Sequence, residues 1–224
     1  MDLNADFARR ASVHAAGLDW VPSPMPGVER RLLDRVGAEI ARATSIVRYA
    51  PRSAFAPHRH AAGEEFLVLE GVFQDEHGDY PAGTYVRNPP GSGHTPGSAP
   101  GCTIFVKLRQ FDPADRKPVR IDIADLPPRT TGEPGVEAAT LFARADEQVH
   151  IERWAPGATV SRNVPDGLEL LVLAGTLVEA GETFGHLSWL RLPAGATLDA
   201  QAGAQGCRLW IKTGHLRHPR GLAA

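Results

Sequence analysis

Apolar residues recur along this chain in short runs that end at glycine, proline or polar clusters. Residues 28–34 and 44–49 form two such runs, and others begin at Glu64, Gly83 and Thr103. Runs of this length, rich in β-branched and aromatic residues and bounded by turn residues, are typical of strands. The pattern therefore predicts an all-β chain of many short strands, arranged as a sandwich or barrel.

Three segments are less regular. Residues 13–20 are apolar and predict a strand or a cap on a neighbouring sheet. Residues 37–43 have helix propensity, but the sequence Asp34-Arg35-Val36-Gly37 before them favours a hairpin turn. Residues 119–123 alternate between apolar and polar side chains, which predicts an edge strand.

The chain repeats itself once. Four short motifs recur in the same order: Pro26-Gly27-Val28-Glu29 at Pro134, Tyr49-Ala50-Pro51 as Trp154-Ala155-Pro156, Leu67-Val68-Leu69 at Leu171, and Gly101-Cys102 at Gly206-Cys207. This order predicts a tandem duplication. We expect two domains, residues 1–118 and 119–224, with some exchange of strands between them and a polar, proline-marked linker that begins at 111–118.

Composition narrows the class of protein. The 23 glycines and 19 prolines agree with many turns, and the net charge of −2 without a basic cluster argues against nucleic-acid binding. No apolar stretch is long enough to cross a membrane, and the N-terminal residues lack a signal pattern, so we expect a cytoplasmic protein. Two cysteines without a C-x-x-C pair exclude a zinc ribbon and a disulfide framework.

Three histidines and a glutamate form a candidate metal site. Side chains alternate along a strand, so His58 and His60 point to one side, and Glu64 has the same parity. His94 follows in a second segment, Gly83 to His94. Three imidazoles and one carboxylate suit a divalent transition metal. Glu65 is the alternative carboxylate, because a bulge at Gly63 would reverse the parity.

The second repeat lacks these ligands. Aligned through the shared motifs, Leu168 corresponds to Glu64 and Leu198 to His94, and residues 161–165 contain no histidine. We therefore expect one metal ion per chain, in the first repeat only. The second repeat is expected to be structural.

Both segments of the candidate site resemble the paired motifs of cupins, G-x5-H-x-H-x3-4-E-x6-G and G-x5-P-x-G-x2-H-x3-N. Arg52 stands in place of the leading glycine and Ser98 in place of the closing asparagine. The segments 63–71, 80–91 and 101–108 resemble the ChrR-like cupins, named after the metal-binding domain of ChrR-type anti-sigma factors. The resemblance implies two tandem double-stranded β-barrels of jelly-roll type, with zinc ligands that match His58, His60, Glu64 and His94.

Two classes of function follow from this resemblance. One is a metal-binding ChrR-like bicupin with a role as a sensor or small-molecule-binding protein; the other is a metal-dependent dioxygenase that cleaves a small diketone or aryl ketone. Zinc is favoured as the metal, with iron, manganese or nickel as alternatives. The helical domain through which a ChrR-type factor grips its sigma partner has no counterpart here, which argues against direct sigma-factor binding. An exposed sheet edge favours a homodimer.

Some further residues have an open assignment. On the strand that leads to His94, either Tyr85 with Arg87 or Asn88 with Val86 faces inward. His77 lies in an acidic turn and is expected to be solvated. His215 and His218 lie in a basic C-terminal segment that we expect to be disordered and without a metal role.

Overall fold

The computed structural model describes residues 2–38 and 40–221. Its strands, in chain order, are β1 Ala11–His14, β2 Val21–Pro22, β3 Val28–Val36, β4 Arg42–Tyr49, β5 Ser53–Ala54, β6 His58–Arg59, β7 Glu64–Asp75, β8 Gly78–Pro81, β9 Thr84–Asn88, β10 Gly93–His94, β11 Gly97–Ser98, β12 Cys102–Leu108, β13 Val119–Asp122, β14 Arg129–Thr130, β15 Val136–Arg144, β16 Glu147–Trp154, β17 Thr159–Val164, β18 Leu168–Glu179, β19 Glu182–Phe184, β20 Ser188–Leu192 and β21 Ala196–Thr213. Two 3-10 turns, Ala15–Gly17 and Ile123–Asp125, are the helical elements of the described residues.

The first compact unit contains Leu18–Ala124, together with residues 2–5 and 220–221. Its main sheet has the strand order β13-β9-β7-β12-β4-β3-β2, with β5, β8 and β11 attached at the side. Neighbouring strands in this sheet are antiparallel. Strands β6 and β10 form a separate two-stranded sheet, and this small sheet carries two of the predicted site residues.

The second unit contains Asp6–Gly17 and Asp125–Pro219. Its sheet has the order β1-β20-β18-β21-β16-β15-β14, with β17 and β19 attached to β21 and β18. The long strands β7 and β18 have the same length and the same antiparallel partners in the two units, β9 and β12 in one case and β20 and β21 in the other. The duplication predicted from sequence is therefore also a duplication of strand order.

Each repeat gives its first strand to the unit formed by the other repeat. Strand β1 comes from the first repeat but pairs with β20, and β13 comes from the second repeat but pairs with β9. The two strands are equivalent, since each is followed at once by a 3-10 turn. The edge strand predicted at 119–123 is thus present as β13. Of the segment 13–20, for which a strand or a cap was predicted, residues 13 and 14 form the end of β1. The division of the chain into domains at residue 118 stays a prediction. The two compact units have other bounds, because each contains a segment from both repeats.

Each unit has its own hydrophobic core on one face of its sheet, which we call the inner face. In the first unit this cluster consists of Val28, Val47, Phe66, Val68, Phe73, Tyr80, Val86, Cys102, Ile104 and Val106. The corresponding cluster in the second unit is larger and purely apolar apart from Cys207. The predicted all-β class is confirmed. Among the described residues, no helix has the length and apolar character that a membrane span requires.

Candidate metal centre

The three predicted histidines lie together. His58 on β6 pairs directly with His94 on β10, and residues opposite each other in an antiparallel ladder project to the same face. His60 follows two residues after His58, and its backbone N–H donates to the carbonyl of Ser92 at 2.9 Å. One ring nitrogen from each of the three imidazoles lies within 4.8 Å of the others.

Glu64 completes this group from the start of β7. Its Oε2 atom is 3.4 Å from Nε2 of His60 and 3.6 Å from Nε2 of His94, and these two nitrogens are 3.1 Å apart. Gly63 turns the chain into β7 with a φ of +79°, and a Cβ there would lie 2.4 Å from the ring of Phe111. Glycine is therefore required at the position that directs Glu64 toward the histidines.

Glu65 faces the opposite side of β7. Its Oε1 accepts a 2.5 Å hydrogen bond from the hydroxyl of Tyr85, and Nη1 of Arg87 lies 3.4 Å from its Oε2. Arg87 also contacts Asp115 at 3.1 Å and stacks on Phe111. Of the two alternatives for β9, Asn88 with Val86 faces inward, and Tyr85 with Arg87 is on the outer face.

Burial sets the charge of the candidate ligands. His60, His94 and Glu64 are buried, whereas His58 is exposed. Desolvation, assisted by the neighbouring His58, lowers the pKa of His60 to about 4, and desolvation also lowers the pKa of His94. Both rings are therefore neutral near pH 7 and have a lone pair to offer. Burial raises the pKa of Glu64, because its carboxylate has lost water.

Two further residues orient the candidate ligands. Asp75 Oδ2 lies 3.3 Å from Nδ1 of His94, which points the Nε2 of that ring toward Glu64. Asn88 donates from Nδ2 to Glu64 Oε2 at 3.1 Å. Sequence reasoning placed Asn88 as a possible inward residue but missed Asp75, because it stands in an acidic turn and no local spacing connects it to His94.

The second unit has a core where the first has the histidines. Val164, Leu168 and Leu198 occupy the positions equivalent to His60, Glu64 and His94, and all three are buried in the apolar cluster. Arg162, equivalent to His58, forms ion pairs with Glu133 and Glu152. The described residues thus contain one cluster of three histidines, in the first unit.

The prediction that the C-terminal segment is disordered was wrong for His215. Nε2 of His215 lies 3.1 Å from Oε1 of Glu169, and both side chains are buried. The pairing depends on a contact between residues far apart in the chain, which the local Pro/Gly-rich composition conceals. His77 is exposed in the turn between β7 and β8, as expected.

One protein-family model matches the part of the chain that holds the candidate site. Residues 8–112 match the family model of the ChrR cupin-like domain. Over these residues the chain is similar to ChrR cupin-like domains. The match spans β1 to β12 and includes the three histidines, Glu64 and Asp75. No match was found among curated proteins.

Solved structures extend the cupin assignment to the whole fold. A candidate dioxygenase from Nostoc punctiforme superposes with a TM-score of 0.77 at 14% identity, over 97% of this chain and 87% of that one. Protein YlbA from Escherichia coli gives 0.72 at 18% identity, over 94% and 93%. The bacterial pirin YhhW in complex with nickel(II), from Escherichia coli, gives 0.65 at 12% identity, over 92% and 98%. At these identities the likeness establishes the fold, and the predicted tandem cupin architecture is confirmed.

Proposed function

We propose that this chain is a metal-binding ChrR-like bicupin that holds one divalent transition metal in its first unit. The ligands in this proposal are His58, His60, Glu64 and His94. The observation that carries it is the convergence of imidazole nitrogens and one carboxylate in that unit, with a sealed apolar core at the same place in the second.

The distances among the buried ligands fit a shared ion. Two atoms bound to one metal at about 2.1 Å are separated by about 3.0 Å in octahedral and about 3.4 Å in tetrahedral geometry. The three contacts among His60, Glu64 and His94 measure 3.1, 3.4 and 3.6 Å. His58 Nδ1 lies 3.3 Å from the carbonyl of Ala56, so a proton on Nδ1 leaves Nε2 for the metal.

The electrostatics of the site support the same proposal. Neutral imidazoles and a carboxylate are the forms that bind a divalent cation. A buried Glu64 carboxylate beside two neutral rings is costly without a positive charge, which is the reason its pKa is raised. A divalent ion would offset that cost.

Zinc is the metal we favour, because three imidazoles and one carboxylate complete its usual shell of four. Iron, manganese or nickel commonly binds six ligands, so the same four residues would leave open coordination positions. Any of these ions would supply a Lewis acid to a bound small molecule. A cavity of about 400 Å³ connects the candidate site with solvent, and its lining residues are Pro57, His58, Arg59, Glu76, Gly91, Gly93 and His94. We therefore propose a sensor or small-molecule-binding role.

Titration calorimetry with Zn²⁺ on the chelator-stripped protein tests metal binding. We expect His94→Ala to abolish tight binding, since it removes a buried ligand. His77→Ala is the matched control, because His77 is an exposed histidine in a nearby turn. Equal affinity of the His94→Ala variant and the wild type would refute the proposed site.

A metal-dependent dioxygenase is the second candidate. The cavity beside the exposed His58 is open to small molecules, and one similar structure is described as a candidate dioxygenase. The substrate would be a small diketone or aryl ketone. The test is oxygen uptake by protein loaded anaerobically with Fe(II), with β-diketones and hydroxylated aryl ketones. Oxygen uptake that is lost in His94→Ala would establish the enzyme. No oxygen uptake with any of these compounds, together with tight zinc binding, would favour the binding role.

A further inference from the structure

A chain of polar side chains connects Glu64 and His94 behind the candidate ligands. From His94, Asp75 Oδ2 lies 3.3 Å from Nδ1, and Asp75 Oδ1 accepts a 2.9 Å hydrogen bond from the hydroxyl of Tyr80. Arg120 donates from Nε to the same hydroxyl at 2.9 Å. Both Asp75 and Tyr80 side chains are buried, so this is a connected set of contacts beneath the site.

Arg120 also reaches the other side of the site. Its Nη2 lies 3.5 Å from Oδ1 of Asn88, the longest contact of the set, and Nδ2 of Asn88 donates to Glu64 at 3.1 Å. Arg120 pairs with Val86 in the β13–β9 ladder, which places both side chains on the inner face. The arginine therefore bridges the residue that orients Glu64 and the residues that orient His94.

The second unit provides an internal comparison. By strand register, Phe184 is equivalent to Tyr80, Leu192 to Asn88 and Ser12 to Arg120. Phe184 and Leu192 are buried in the apolar core of that unit. Where the ligands are absent, the hydroxyl and the amide are absent too. A guanidinium is kept, since Arg10 lies over the ring of Phe184 and pairs with Glu179, which is equivalent to Asp75. It has no amide to contact there, because Leu192 stands in place of Asn88. A purely structural need for the hydroxyl and the amide would not follow the ligands in this way.

We infer that Tyr80 and Arg120 are positioning residues for the metal centre, acting on His94 through Asp75 and on Glu64 through Asn88. The inference rests on the proposed metal-binding function. Partners behind metal ligands fix ring orientation and ligand basicity, and their loss costs roughly 10- to 100-fold in metal affinity. Strand β13, which carries Arg120, comes from the second repeat. The repeat without ligands thus supplies part of the support for the site.

The test uses the full chain with Co²⁺ as the probe, measured by calorimetry and by the visible absorption of the bound ion. Tyr80→Phe removes one hydroxyl, and Phe184 shows that phenylalanine fits the equivalent position. Arg120→Ala changes an exposed residue, so the core stays intact. We expect each to weaken Co²⁺ binding by about tenfold and to shift the absorption bands. The double variant should lose less than the sum of the two single variants, because Tyr80 and Arg120 share the route through Asp75, while Arg120 alone reaches Glu64 through Asn88.

Two controls make the outcomes separable. Arg129→Ala removes an exposed arginine from β14 of the second unit and should leave Co²⁺ affinity within about twofold of wild type. Thermal unfolding of the metal-free variants detects a general loss of stability. Wild-type affinity and an unchanged spectrum in Tyr80→Phe and Arg120→Ala would overturn this inference while leaving the metal site standing. Failure of the wild type to bind Co²⁺ or Zn²⁺ would overturn both.

Discussion

Glu64 and Glu65 are adjacent in the chain, yet their carboxylates lie on opposite faces of β7. Glu64 faces His60 and His94 on the inner face, and Glu65 faces Tyr85 and Arg87 on the outer face. The second repeat separates their roles as well. It has Leu168 in place of Glu64 but keeps a buried glutamate, Glu169, in place of Glu65. The outer carboxylate is therefore common to both units, and the inner one occurs only in the unit that has the three histidines.

Exchange of each glutamate for glutamine should separate metal binding from stability. Glu64→Gln should weaken Zn²⁺ binding strongly, with little effect on the unfolding of the metal-free protein. Glu65→Gln should leave the Zn²⁺ affinity close to wild type and lower the free energy of unfolding by about 3 kcal/mol, since it removes a buried carboxylate beside Arg87. Calorimetry and urea denaturation measure the two quantities. The opposite order of metal affinities would mean that Glu65 is the ligand.

The number of metal ions per chain should be one. Val164, Leu168 and Leu198 occupy the equivalent place in the second unit and offer no ligand atom. Elemental analysis of protein purified with and without oxygen would measure the content. The single ion should be lost in His58→Ala. Two ions per chain, or none after reconstitution with several metals, would contradict the proposal.

Gly71 and Gly175 should be essential to the stability of their units. Each has a positive φ, and a Cβ on either would lie 2.0 Å from a backbone oxygen, that of Gly101 or Gly206. Gly71→Ala and Gly175→Ala should each lower the free energy of unfolding by about 2 kcal/mol or more. Gly185→Ala is the control, because a Cβ there meets nothing within 4 Å. Urea denaturation measures the free energy of unfolding of the three variants. Equal denaturation midpoints for all three would be incompatible with the close backbone contacts at Gly71 and Gly175.

The chain is expected to form a homodimer. Strand β2 is at one end of the first unit's sheet, and its residue Val21 is exposed. Exposed sheet edges tend to be covered by pairing. Light scattering should give about twice the chain mass of 24.1 kDa. A measured mass equal to a single chain at micromolar concentration would rule the dimer out.

Alternation along strands predicted which side chains lie together. The parity of His58, His60 and Glu64 places them on one side, and they are close together in the structure. The supporting residues could not be predicted in this way. Asp75 and Arg120 meet the site through contacts between strands far apart in the sequence, and no local period encodes them. The error at His215 has the same origin, because Glu169 is its partner only in the folded chain.

The exchange of β1 and β13 has a consequence for synthesis on the ribosome. The partner of β13, β9, has already been made when β13 emerges, so the sheet of the first unit can close while the second repeat is still being translated. Strand β1 is made long before its partner β20, because the rest of the first repeat and most of the second lie between them. Contacts at such long separation form slowly, because a large loop must close first. The sheet that carries the histidine unit is therefore able to close before β1 finds its partner in the sheet of the second unit.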